Sequence, residues 1–299
     1  MKKKKSLFFL LVICQISLGQ ATDTLQHLSS KSATSMADRW ELNKQYKKGY
    51  FKITPYKPIY ITAGRYSNNP NSRPTSENPD FSLPFRVNYN NYEAKFQLSL
   101  KTKLASGLFL GHGDLWIAYT QKAHWQVYNV ELSRPFRELN YEPEIILNFA
   151  TNYNLLGFKG SMLGISLNHQ SNGRTLPLSR SWNRIIFHVG FERPNWQVML
   201  RPWIRLSDEI DENPAILDYI GRGELLVVRK IGKCQLSFIG THPLKFENGS
   251  RGRAEFNFNF PVINGMRGFA QVASGYGETL IDYNHSQNTI GLGISLVEW

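Results

Sequence analysis

The stretch "RAEFNFNFPV", residues 253–262, alternates residue by residue. Ala254, Phe256, Phe258 and Phe260 fall on one face, and Glu255, Asn257 and Asn259 on the other. Successive side chains of a strand point to opposite faces, whereas a helix would scatter these residues around its circumference. The stretch is therefore a strand between two unlike environments. "EAKFQLSLK" (93–101) repeats the pattern, setting Ala94, Phe96, Leu98 and Leu100 against Lys95, Gln97, Ser99 and Lys101. In "WQVMLRPWIRL" (196–206), Trp196, Val198, Leu200, Ile204 and Leu206 oppose Gln197, Arg201 and Arg205.

Segments of about ten residues with this alternation are the signature of a transmembrane β-barrel. Twelve can be placed, near 58–64, 93–104, 113–127, 142–154, 158–170, 182–193, 195–206, 215–231, 233–243, 252–262, 266–277 and 288–298. The expectation is an all-β, antiparallel, up-and-down barrel over residues 56–299, with both termini on the periplasmic side. A soluble β-sandwich also alternates. Two features favour the barrel: the length of the strands, and an export signal.

That signal opens the chain. Met1 and Lys2 to Lys5 precede an apolar run from Leu7 to Ile13 and then "SLGQ". A basic region, a short apolar region and small residues make a secretory signal peptide, expected to end at residue 19. Cys14 has no small residue before it, which argues against a lipoprotein anchor. Losing four lysines with the leader lowers the formal charge from +12 to +8. Outside the cytoplasm, a basic surface meets anionic lipid or lipopolysaccharide rather than nucleic acid. Cys234 is then the single remaining cysteine, so no internal disulfide can form. After the leader no apolar run approaches the roughly 18 residues of a spanning helix. Residues 20–55 read as a polar N-terminal segment or periplasmic arm, and "RYSNNPNSRPTSENPDF" (65–81) as a loop.

The chemistry gathers in "LNHQSNGRTLPLSRSWNRI", residues 167–185. His169 and Ser171 continue the apolar face of Leu163, Ile165 and Leu167. Asn183 is in phase with Ile185, Phe187, Val189 and Phe191 on the next strand. Residues two apart on a strand are about 7 Å apart at Cα, near enough for a His nitrogen to reach a Ser hydroxyl. A returning hairpin can bring Asn183 beside His169. Ser, His and Asn are the parts of a nucleophilic triad with a neutral orienting member. It would sit on the outside of the barrel, near the membrane surface. The plainer reading is ordinary polarity at a strand end, and no Gly-x-Ser-x-Gly elbow is present.

Five segments in order give a resemblance over most of residues 90–299. They are "YTQKAHWQ" (119–126), "RPFRELNYEPE" (134–144), "NHQSNGR" (168–174), "SRSWNR" (179–184) and "YGETLIDYNHSQNTIGLGISL" (276–296). In these the chain resembles the outer membrane phospholipase A family. The resemblance implies a bacterial outer-membrane barrel that hydrolyses phospholipid acyl esters as a calcium-dependent homodimer. It further implies Ser171 as nucleophile, His169 as general base and acid, Asn183 as orienting residue, and Gly173 as backbone donor to the oxyanion. The calcium (Ca2+) ligands implied are the carbonyls of Arg174 and Ser179 with Ser133 of the partner subunit. The implied dimer interface includes Gln121, Leu98 and Leu100; an outward Gln at membrane depth is one that gains from a partner. Leu176 leaves this loop without a carboxylate where some relatives carry Asp. A non-enzymatic porin or structural barrel, and a lipid A deacylase-type hydrolase, are the competing readings.

Other features carry less. His27, His112, His124, His188, His242 and His285 lack metal-ligand spacing, and His188 falls on the inward face. "SDEIDENP" (207–214) reads as a solvated acidic loop able to bind a cation. Trp299 lies out of phase with the apolar face Ile290, Leu292, Ile294 and Leu296 of the last strand.

Overall fold

A computed structural model describes residues 35–245, 251–263 and 265–299. The expected leader, residues 1–19, lies outside the described residues. So does the first part of the polar segment.

Among the described residues, thirteen strands form one antiparallel sheet that closes on itself through the pairing of β3 with β4. The first strands are β1 (Thr54–Pro55), β2 (Ile59–Ser67), β3 (Tyr92–Phe109), β4 (His112–Trp125) and β5 (Phe136–Leu155). Then come β6 (Phe158–Ser171), β7 (Ser181–Arg193), β8 (Trp196–Leu206) and β9 (Gly223–Ile231). The last are β10 (Cys234–Thr241), β11 (Arg253–Pro261), β12 (Arg267–Gly275) and β13 (Gln287–Val297). β1 is only two residues long and extends the ladder on β3, so twelve strands make the wall. This is the twelve-stranded barrel that the alternation predicts.

The two ends differ. At one end β3–β4 and β5–β6 are joined through Leu110–Gly111 and Leu156–Gly157, all four with positive φ. Such tight turns match the twist of the flanking strands. At the other end the connections are long, including 68–91, 172–180 and 207–222. Short periplasmic turns and long outer loops are the usual asymmetry of outer-membrane barrels.

Phe256 and Phe258 face outward and are exposed, while Glu255, Asn257 and Asn259 are buried inside. The lumen is lined by ion pairs. Arg137 bridges Glu93 and Asp282, each at 2.9 Å, and Arg65 adds a second cation to Glu93 at 2.7 Å. Lys95 reaches Glu278 at 2.8 Å, and Lys57 reaches Glu142 at 2.9 Å. Removing one member would strand its partner in a poorly solvated interior, so these pairs are interdependent. Two of the histidines set aside above belong here: His124 contacts Glu93 at 2.8 Å, and His188 contacts Ser166 at 3.0 Å.

Residues 35–55 close the lumen from the periplasmic side. Ser35 caps the short helix α1 (Met36–Arg39), and Trp40 follows, 3% exposed. Trp40 packs edge-on against Trp116 and Tyr56, and the Lys101 ammonium lies 4.7 Å from its ring centroid. Glu41 pairs with Lys103 at 2.8 Å. Trp299 also turns inward, exchanging two backbone hydrogen bonds with the Gln235 amide and packing on this cluster. Its phase is that of a lumen residue, which is why it does not follow Ile290 to Leu296.

Several strand boundaries differ from expectation, and β3 runs on to Phe109, past 104. β2 runs on to Ser67. β5 begins at Phe136, not 142, because Pro143 is accommodated within the strand opposite Tyr119. The segment 215–222 is not strand: a short helix α2 (Ile216–Tyr219) buries Ile216 among Trp182, Trp203 and Tyr283, and β9 starts at Gly223. Trp40→Ala should weaken the barrel by about 3 kcal/mol, the cost of emptying a buried aromatic site. Heat-modifiable gel mobility would show the loss as a lower unfolding temperature.

Candidate active site

β6 and β7 pair so that His169 stands opposite Asn183 and Ser171 opposite Ser181. The Nδ1 of His169 and Oδ1 of Asn183 are 2.8 Å apart. Ser171 lies two residues from His169 on the same outward face. Its hydroxyl makes no hydrogen bond among the described residues, so the expected contact with His169 is not formed here. Below it, Leu163, Ile165 and Leu167 are exposed on the outer wall of β6. The three polar groups thus sit at the outer rim of the lipid-facing surface.

The loop 172–180 behind them is held tightly by Asn172. Its backbone N–H donates to the Arg180 carbonyl at 3.0 Å, and its Oδ1 accepts from the N–H groups of Arg180 and Arg174. Its Nδ2 donates to the Leu178 carbonyl at 2.7 Å and to Glu138 at 3.0 Å. Gly173 has φ +62°, and a Cβ there would approach the Tyr141 ring to 3.1 Å. Its N–H has no acceptor among the described residues and is available to a ligand.

Arg180 is buried and pins the far side of the loop. Its guanidinium donates to the Phe81 carbonyl at 2.6 Å and to the Ser179 carbonyl at 2.7 Å. Arg174 donates to the Arg137 carbonyl at 2.9 Å. Tyr89, from loop 68–91, lies near these residues; burial pushes its phenol up, against the pull of Arg174 and Arg137. The Ser179 hydroxyl donates to Glu212 Oε1 at 2.6 Å, while Glu212 Oε2 is buried without a partner among the described residues. Ser133 lies on the separate loop between β4 and β5, with φ +59°.

The expected interface residues are neighbours across one ladder. Leu98 pairs with Gln121 and Leu100 with Tyr119, and Leu98 is exposed. The Tyr119 hydroxyl donates to Gln121 Oε1 at 3.1 Å, and the amide nitrogen has no partner among the described residues.

Residues 36–296 match the phospholipase A1 family. The chain belongs to that family. The phospholipase A1 of Escherichia coli is 41% identical over 246 residues, 82% of either chain. A putative phospholipase A1 of Neisseria meningitidis is 35% identical over 269 residues, 87% of this chain and 69% of the relative. The solved outer membrane phospholipase A of E. coli superposes with a TM-score of 0.75 at 37% identity, over 83% of this chain and 99% of that one. A Salmonella typhi structure, described as an outer membrane phospholipase dimer with bound calcium, gives 0.75 at 36% identity, over 84% and 94%. This chain is therefore a phospholipase A1-type carboxylic ester hydrolase in an outer-membrane barrel.

Residue type alone does not single out Asn172, Arg180, Glu212 or Asp208. Asp208 Oδ1 accepts from Asn183 Nδ2 at 2.7 Å. Its signal lay in the acidic run 207–214, which follows the strand paired with Asn183. Gly173→Ala should slow ester hydrolysis by about tenfold or more, because a left-handed backbone costs about 1–3 kcal/mol for other residues. Heat-modifiable mobility should stay unchanged, separating a loop effect from unfolding.

Proposed function

We propose that this phospholipase A1 hydrolyses the sn-1 and sn-2 acyl esters of glycerophospholipids and lysophospholipids through Ser171, His169 and Asn183. The hydrogen bond between His169 and Asn183, with Ser171 on the same lipid-facing rim, carries the proposal. A phospholipid can reach this rim along the outer wall without entering the lumen.

In the first half-reaction the Ser171 Oγ attacks the ester carbonyl as His169 Nε2 takes its proton. Asn183 accepts from His169 Nδ1–H and keeps the imidazolium oriented. The Gly173 N–H donates to the oxyanion, where one well-placed donor is worth about 10²–10³ in rate. His169 then protonates the departing lysophospholipid alkoxide, leaving an acyl-enzyme. In the second half-reaction His169 deprotonates water, which releases the fatty acid and returns the proton to Ser171.

The residues around loop 172–180 fit a hard cation. The donors are all oxygens, and a buried carboxylate oxygen of Glu212 has no partner among the described residues. The carbonyls of Arg174 and Ser179, with Ser133 of the partner subunit, would hold calcium. Bound there, calcium supplies positive charge to the ester carbonyl and its oxyanion. The dimer would form across Leu98, Leu100 and Gln121, whose unpaired amide gains a partner away from water. The relative crystallised as a calcium-bound dimer supports both parts of this reading. A lumen filled with paired charges disfavours an open pore.

Fatty-acid release from phospholipid–detergent micelles tests the proposal. Ser171→Ala should lower release by at least about 10³-fold with the barrel intact, as expected for a lost nucleophile. Chelation should silence the wild type, and added calcium should restore it. Wild-type release by Ser171→Ala would refute the assignment.

A further inference from the structure

The bond between Asp208 and Asn183 bears on which end of the Asn183 amide faces His169. An amide can present either its oxygen or its nitrogen to an imidazole, and the two choices require opposite tautomers. With Oδ1 toward His169, the imidazole must carry hydrogen on Nδ1, and Nε2 is left to accept the Ser171 proton. With Nδ2 toward His169, Nδ1 becomes the acceptor, hydrogen moves to Nε2, and no base remains for Ser171.

We propose that Asp208 is a positioning residue that selects the productive end of the Asn183 amide and thereby the tautomer of His169. The proposal rests on the triad reading. An ionised carboxylate only accepts hydrogen bonds. Turning the amide over would set its oxygen against Asp208 Oδ1 at the observed 2.7 Å and leave both without a donor.

The backbone explains the reach. Asn183 pairs with Leu206 on β8, and Asp208 lies two residues beyond, where the chain leaves the strand. The loop is fixed on its far side: Arg205 pairs with Asp211 at 2.6 Å, and Glu212 accepts from Ser179. Asp208 is therefore held at Asn183 by more than its own bond. Its charge stays one amide away from the lipid-facing imidazole, where a bare carboxylate would be poorly solvated.

Asp208→Ala should lower kcat by about tenfold or more with little change in KM, because a wrong tautomer impairs chemistry rather than binding. The sharper test exchanges the groups. Asn183→Asp alone places two carboxylates in contact and should be strongly impaired. Asn183→Asp combined with Asp208→Asn restores a donor between them, and should exceed the single variant by about tenfold or more. A purely structural role for Asp208 would not produce that rescue. The exchange also decides the matter if Asp208→Ala fails to give a folded barrel. A double variant no more active than Asn183→Asp overturns the proposal. So does a folded Asp208→Ala with wild-type kcat. Ser171→Ala, measured alongside, keeps the two readings apart: its inactivity preserves the triad whatever Asp208 does, and its activity removes the triad itself.

Discussion

A strand that crosses hydrocarbon must give every backbone N–H and C=O to a neighbour, and this constraint organises the molecule. It requires the sheet to close, as it does between β3 and β4. Closure leaves an interior that side chains must fill. Here they are Lys95, Lys103 and Arg137 against Glu278, Glu41 and Glu93. Such pairs work only if complete, which ties distant strands together. The N-terminal residues join the same arrangement, since Glu41 completes Lys103 and Trp40 covers Lys101.

The proposed chemistry lies outside the lumen. The wall supplies a rigid frame in which β6 and β7 fix His169 opposite Asn183. The outer loops supply what a strand cannot: a left-handed Gly173, and a turn tied at both ends by Asn172 and Arg180. In the proposed triad, precision therefore comes from the ladder, and access for lipid from its position on the outer rim. Polar groups on that surface need partners, and His169, Asn183 and Asp208 provide them for one another.

Much of this was legible because period two is a strong constraint. Phe256 and Phe258 could only share a face. The same phase put His169, Ser171 and Asn183 outward once the hairpin between them was recognised. Trp299 was legible too, although its meaning was not: its phase was that of the lumen, and only the packing on Gln235 and α1 shows what it touches. Residues 215–222 alternate well enough to resemble a strand. Burial of Ile216 beneath Trp182 and Trp203 is a tertiary effect that local periodicity does not contain. Asn172 and Arg180 bind mainly through backbone carbonyls and N–H groups in loops, where no spacing rule applies. Asp208 was hidden in an acidic run because its contact with Asn183 depends on the register between β7 and β8.

The most direct measurement is covalent capture of the nucleophile on the intact barrel in detergent micelles. A long-chain alkyl sulfonyl fluoride would be added with calcium or with chelator, and the modified peptide identified by mass spectrometry. Modification should fall on Ser171, one label per subunit, and only in calcium. Labelling at another residue, or equal labelling of Ser171 in chelator, would contradict a calcium-assisted triad on the outer rim.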